Sequence, residues 1–185
     1  MDDVLQSVAG FAVGDGGGAL LIEASDDPER GIIDGEFRSA PTEWRHAVGG
    51  YFRPATHACE ACGSLLDRRF LCHGGGLFRA AFGLMCPTME AVLARVGWTP
   101  DDLDVIFCHQ PTKTFIDRAL AVHPDATAIA GKLWGTAERY GNTSTASLPL
   151  ALAEAKTAGA LAPGTKILAL APSSGVSAAA VAMVW

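Results

Sequence analysis

Charge is scarce in this chain. Only 18% of its 185 residues are Asp, Glu, Lys or Arg, and the basic ones are outnumbered 20 to 14, which leaves a formal charge of −6. A net acid gains nothing from phosphate backbones or anionic lipid, so this balance argues against non-specific nucleic-acid and membrane-surface binding. Cysteine is also sparse: five is an odd number, so at least one thiol is unpaired within the chain, as in a protein of a reducing compartment and not a disulfide scaffold. The first residues, Met1-Asp2-Asp3, are acidic where a secretory leader is basic, and no such leader is expected. Only Ile167 to Trp185 is long, apolar and uncharged, and Pro172-Ser173-Ser174-Gly175 interrupts it with turn chemistry. Two buried strands around a tight turn fit it better than a tail anchor. What the chain has is a core: 49% hydrophobic residues exclude general disorder, 21 Gly and 10 Pro indicate many tight turns, and the length suits one compact cytoplasmic domain.

Apolar patterning divides that domain into alternating elements. Phe11 to Val13 and Ala19 to Ile22 have strand character, Asp26 to Arg30 is a turn, and Gly31 to Phe37 is a strand candidate. Residues 38–64 hold scattered aromatics, Pro41, Pro54 and several Gly without a period, the composition of an irregular excursion over a binding site. Leu65 to Cys72 returns to strand character. From Leu77 to Val96 apolar residues recur at helical spacing until Gly97 ends the run, with Pro87 predicting a kink or break. Val105-Ile106-Phe107-Cys108 is a compact buried strand, Thr112 to Val122 and Ser147 to Gly159 are helices, and Lys166 to Ala171 with Ala178 to Val184 form a closing strand pair. Strands alternating with helices predict an α/β layered sheet.

Taken singly, the motifs are weak. Gly14-Asp15-Gly16-Gly17-Gly18-Ala19 matches a dinucleotide fingerprint, but that fingerprint opens a helix, and the turn at Ser25-Asp26-Asp27-Pro28 leaves no room for one. A structural glycine turn is the better reading. Cys59-Glu60-Ala61-Cys62 has metal spacing, yet Cys72 and His73 are adjacent, would point to opposite sides of a strand, and no second knuckle exists. Zinc is therefore not expected. Cys108-His109-Gln110-Pro111 ends a buried strand, where α/β folds place their chemistry. His109 alone reads equally as a structural hydrogen-bonder, and Gly141-Asn142-Thr143-Ser144 reads equally as a helix N-cap.

Together they say more. His109-Gln110, Gly141-Asn142-Thr143-Ser144 ahead of an Ala-rich helix with Pro149, and two apolar strands around a Gly-bearing turn follow in an order and spacing that resemble the C-terminal half of the ketoacyl synthase III group of the thiolase superfamily. The Gly14 to Ala19 run is similar to the strand motif closing the first half of those enzymes, so residues 1–24 resemble that closing region within a domain of 1–185. Gly74, Phe78 and Arg79 fall where the family lines its pantetheine entrance, and residues 38–72 match least. The resemblance implies a thiolase-like α/β half with a mixed five-stranded sheet layered with helices.

It also implies a chemistry. The family uses a Cys-His-Asn triad: the thiolate carries an acyl group as a thioester, and His and Asn donate hydrogen bonds to a carbonyl oxygen where charge develops. On this resemblance His109 and Asn142 are the donors, Gly175 and Val176 lie in the turn beside the oxyanion site, and Gly74, Phe78, Arg79 and Thr112 contact pantetheine or a carrier protein. No metal or cofactor is implied; acyl-CoA or acyl carrier protein is the substrate. The nucleophilic Cys belongs to the family's first half, and none of Cys59, Cys62, Cys72, Cys86 or Cys108 takes its place. The implied partner is an N-terminal half carrying that Cys, separately encoded or cut from one precursor, in a dimer of such pairs. Thr112 stands where the family has Asn, and Ser173-Ser174-Gly175-Val176 replaces a triple glycine followed by Phe. Losing that aromatic widens the pocket and tilts the expected reaction from decarboxylative condensation towards acyl transfer. The competing expectation is a non-catalytic scaffold or chain-length factor, which the presence of both His109 and Asn142 opposes.

Overall fold

The computed structural model describes residues 12–54 and 66–185. In chain order its elements are β1 (Gly31–Ser39), β2 (Ala47–Pro54), β3 (Leu66–Cys72), α1 (Gly74–Val96), β4 (Val105–Cys108), α2 (Lys113–Val122), α3 (Ala126–Ile129), α4 (Ala137–Tyr140), α5 (Ser147–Thr157), β5 (Lys166–Ser173) and β6 (Ser177–Val184). The central sheet has the order β1-β6-β5-β4, with β4 and β5 parallel and the other pairs antiparallel.

The sheet is mixed, as expected, but among the described residues it has four strands and not five. Ala19 to Ile22, whose composition suits a strand, is not one of them. A strand is held by a neighbour that pairs with its backbone, and among the described residues none pairs with this run, leaving Leu21 92% exposed. Val13 makes a single parallel bridge to Asn142, while Phe11 lies outside the described residues. The expected irregular excursion also contains order. Pro41–His46 forms a short 3-10 turn, and β2 pairs antiparallel with β3 as a separate two-stranded ribbon. Gly49, Gly50 and Pro54 hide this strand, because residues depleted from strands dilute its period.

Alternation along β4 and β5 builds two cores. Ile106, Cys108, Leu168 and Leu170 face α1, meeting Met85, Met89, Val92 and Leu93, and the small side chains of Ala178, Ala180 and Ala182 on β6 line the same contact. Val105, Phe107 and Ile167 face the other way, against Ala151, Leu152 and Ala155 of α5. The result is a helix layer on each face of the sheet. Helix α1 is long and apolar enough to cross a membrane by composition, but its buried Met85, Met89, Val92 and Leu93 pack on the sheet, as in a core helix. It runs as one element through Pro87. The carbonyl that Pro87 leaves without a donor belongs to Gly83, which is exposed and carries no Cβ.

Phe107 is fully buried at 0% exposure, so Phe107→Ala is expected to cost about 3–5 kcal/mol of stability. The measurement is the urea midpoint, which should fall with the slope of the transition unchanged.

Candidate active site

Strand β4 delivers the first site residue. Val105 and Phe107 point to the α5 side and Ile106 and Cys108 to the α1 side, so the next position returns to α5. There Nδ1 of His109 lies 2.9 Å from Oγ of Ser147, the first residue of that helix. The His109 backbone N–H donates to the Leu170 carbonyl at 2.9 Å, tying it to β5. Burial of the ring holds its pKa below the ordinary 6.5, because imidazolium is disfavoured away from water.

Asn142 comes from the loop ahead of α5. Gly141 adopts φ +67°, and a Cβ there would sit 2.8 Å from the Ala12 carbonyl oxygen, so the turn requires glycine. The Asn142 N–H donates to Ala12 at 2.7 Å, and Gly14 N–H donates to the Asn142 carbonyl at 2.9 Å. Oδ1 of Asn142 accepts from the Ser144 N–H at 2.9 Å, an Asx turn and not an N-cap of α5, which has no side-chain cap. The amide NH2 of Asn142 is left as the donor. Ser147 closes the path, its Oγ donating to the Ser144 carbonyl at 2.8 Å. His109 and Asn142 are thus joined through Ser147 and Ser144.

Two further residues hold this arrangement. Buried Gln110 donates from Nε2 to the Trp134 carbonyl at 2.8 Å, while its Oε1 accepts from the N–H groups of Thr136 at 2.9 Å and Ala137 at 3.1 Å. It therefore pins the start of α4, the element that ends at Gly141. Glu154 on α5 accepts from the Tyr140 hydroxyl at 2.6 Å, Arg139 Nε at 3.2 Å and Trp134 Nε1 at 3.2 Å. The sequence offered one signal for Gln110, its place beside His109, and none for Glu154. Gln110→Ala strands the Thr136 and Ala137 N–H groups, and each buried unpaired donor costs about 1–3 kcal/mol; thermal unfolding should report the loss. The Arg139 hydrogen bond holds the Glu154 carboxyl below its ordinary 4.5, so the stability this clamp adds is present above that value and disappears as pH falls through the lowered one.

The glycine run packs against the protein itself. A Cβ on Gly14 would lie 1.8 Å from the Tyr140 carbonyl oxygen, one on Gly16 2.9 Å from Leu150 Cδ1, and one on Gly18 2.6 Å from Pro149 Cβ. The run lies against the Asn142 loop and the first turn of α5, and glycine is what permits that approach.

The residues expected at the pantetheine entrance form a second neighbourhood. Gly74 and Arg79 are exposed at the start of α1. Phe78 stacks on Phe82 with centroids 5.6 Å apart and meets Phe115 edge-on at 5.2 Å, bringing the first turns of α1 and α2 together. Thr112 caps α2, its Oγ1 accepting from the Phe115 N–H at 3.1 Å. The remaining two expected site residues lie in the turn between β5 and β6. Gly175 is exposed at φ +132°, and Val176 is wholly buried, its N–H and carbonyl both bonded to Ala40. No hydrogen bond joins this turn to His109 or Asn142 among the described residues.

Cys72, Cys86 and Cys108 are free thiols. Burial pushes all three up, Cys86 to about 11 with help from Glu90 and Cys108 to about 12, so none of them is poised as a thiolate. Cys59 and Cys62, the pair with metal spacing, lie outside the described residues. Among the described residues no cluster of His, Cys, Asp and Glu can hold a metal ion.

A mixed sheet between two helix layers, with His at a strand end and Asn in the loop before the facing helix, defines one half of a thiolase-like fold. Residues 93–185 match the 3-oxoacyl-[acyl-carrier-protein] synthase III C-terminal family, and the chain belongs to that family. The β-ketoacyl-[acyl-carrier-protein] synthase III of Agrobacterium fabrum is 32% identical over 179 residues, 93% of this chain and 51% of that protein. Among solved structures, 3-oxoacyl-[acyl-carrier-protein] synthase III of Aquifex aeolicus superposes with a TM-score of 0.69 at 26% identity, over 88% of this chain and 46% of that one. The synthase from Thermus thermophilus gives 0.69 at 26% identity, over 84% and 46%. The chain spans about half the length of the curated relatives it matches.

Proposed function

We propose that this chain supplies the His and Asn of a cytoplasmic acyltransferase of the ketoacyl synthase III type, acting on CoA or carrier-protein thioesters. The observation that carries this reading is the single hydrogen-bonded path joining His109 to Asn142 at the end of the sheet. The thioester is held on a Cys of an N-terminal half, a reading supported by the burial that pushes the Cys72, Cys86 and Cys108 thiols up and disfavours those three as thiolates. Asn142 points its free amide at the acyl carbonyl and His109 flanks it, while Gly74, Phe78, Arg79 and Thr112 receive the pantetheine arm. Val13, Leu20, Leu21 and Ile22, all more than half exposed, supply apolar surface for the Cys-bearing half to cover, in a dimer of such pairs. No cofactor takes part.

The test is to isolate the protein from its source with whatever polypeptide accompanies it, incubate it with an acyl-CoA, and locate the added mass. An acyl group on a Cys of the accompanying half, discharged more slowly in His109→Ala and Asn142→Ala, is the expected result. Equal turnover in both variants assigns the chain a scaffold role instead.

A further inference from the structure

The first turn of α1 is held by two histidines that the acyl-transfer reading leaves unused. His73 precedes the helix, and its Nδ1 accepts from the Gly76 N–H at 3.1 Å. An imidazole nitrogen that accepts must carry a lone pair, so the cap exists only while His73 is neutral. The His73 ring stacks on His46, with centroids 5.7 Å apart and planes inclined by 27°. The His73 backbone N–H donates to the His46 carbonyl at 2.8 Å. A Cβ on Gly76 would collide with the His46 ring, so glycine is what admits that ring against the helix. The Glu43 carboxylate in turn accepts from His46 Nε2 at 2.8 Å.

We infer that His73 is a positioning residue, a proton-sensitive cap that sets the first turn of α1 and with it the pantetheine entrance. Among the described residues, the charged and titratable groups around it leave an imidazolium there without a partner. Glu43 is engaged by His46 on the same 3-10 turn, where Arg45 lies over the Trp44 ring at 5.4 Å. Arg79 on α1 folds back towards Gly75, its guanidinium 3.8 Å from where a Cβ would stand. Burial pushes the Cys72 thiol at the end of β3 up, and Ala47 and Val48 at the start of β2 carry no charge. The unpaired N–H groups of the helix end add partial positive charge. Proton uptake therefore takes the acceptor from Gly76 and leaves a cation beside Arg79 and the helix end, so the ring departs. Histidine changes charge nearer neutrality than other side chains, which places the release in mildly acid solution. Gly74, Gly75 and Gly76 are poor helix formers, so this turn depends on its cap. It carries Gly74 and leads directly into Phe78 and Arg79. The consequence for pantetheine rests on the entrance proposed above; the cap does not.

The test is hydrogen exchange of the full-length protein, with any polypeptide bound to it, read by mass spectrometry on the peptide spanning residues 73–80. The unsubstituted chain is compared with His73→Asn at each pH, each rate corrected for the intrinsic exchange of its own sequence. Asn accepts the same hydrogen bond and takes up no proton. The ratio of the two rates is expected to be near one at about pH 7.5 and to reach about fivefold at about pH 5.5, as loss of a cap allows. Over the same interval KM for an acyl-CoA rises in the unsubstituted protein and stays level in His73→Asn, while any decline in turnover set by His109 is common to both. A ratio that does not change with pH overturns the inference, as does a KM that rises equally in the two proteins. If His73→Asn does not fold, His73→Asp, an acceptor across the same interval, takes its place. A ratio that rises with acid in a protein without acyl transfer refutes the proposed function and leaves the cap standing.

Discussion

His109→Ala is expected to slow release of the acyl group by about 100- to 10,000-fold, the range seen when a positioned acid or base is removed. The fold should survive, because among the described residues the ring bonds only to Ser147, and it sits at the end of β4, not in either core. Discharge of acylated protein measures the first effect and thermal unfolding the second. The same residue sets the pH profile. Burial lowers the His109 pKa below 6.5, so the ring stays neutral as pH falls through that value, and turnover should decline only below it. The unfolded chain takes up this proton first, so stability falls with pH in the same window, between the ordinary value and the lowered one. An acid limb centred above 6.5 contradicts the placement of His109 as the neutral ring.

Gly14→Ala is expected to disable the site from outside it. The new Cβ would lie 1.8 Å from the Tyr140 carbonyl oxygen, and that atom is backbone, so no side chain can swing aside. Either residues 12–14 or the 140–142 loop must move, and both routes break the hydrogen bonds linking Asn142 to Ala12 and Gly14. Overpacking of this kind costs about 1–3 kcal/mol or more, and the displaced amide should lower turnover towards the Asn142→Ala level. Gly17→Ala is the control, since nothing lies within 4 Å of a Cβ there. Equal melting temperatures and equal turnover for the two variants would show that the glycine run does not hold the loop.

The parts of this fold that could be read in advance are those whose order is local. Strand β4 is a bounded apolar run and was readable to the residue, and the closing pair β5 and β6 needed only its turn to be recognised. Ala19 to Ile22 misled for the opposite reason, because composition describes what a segment can bury and not what stands beside it. The same division runs through the site. The order of short motifs along the chain singles out His109 and Asn142, which the structure joins through Ser147 and Ser144. Ser147, Gln110 and Glu154 act through hydrogen bonds between separate segments, which leave no period in a sequence. Thr112 has a local role as well, its hydroxyl accepting from the Phe115 N–H as the cap of α2.

The bridge between residues 12–14 and the Asn142 loop makes two equilibria one. Ordering either strand of that bridge lowers the cost of ordering the other, and the coupling is reciprocal. Leu20 to Ile22 follow the bridged segment at the far end of the glycine run and stand in solvent. A partner that covers them is therefore expected to raise the protection of the Asn142 amide hydrogen, bonded to Ala12, against exchange, which makes that one hydrogen a gauge of assembly.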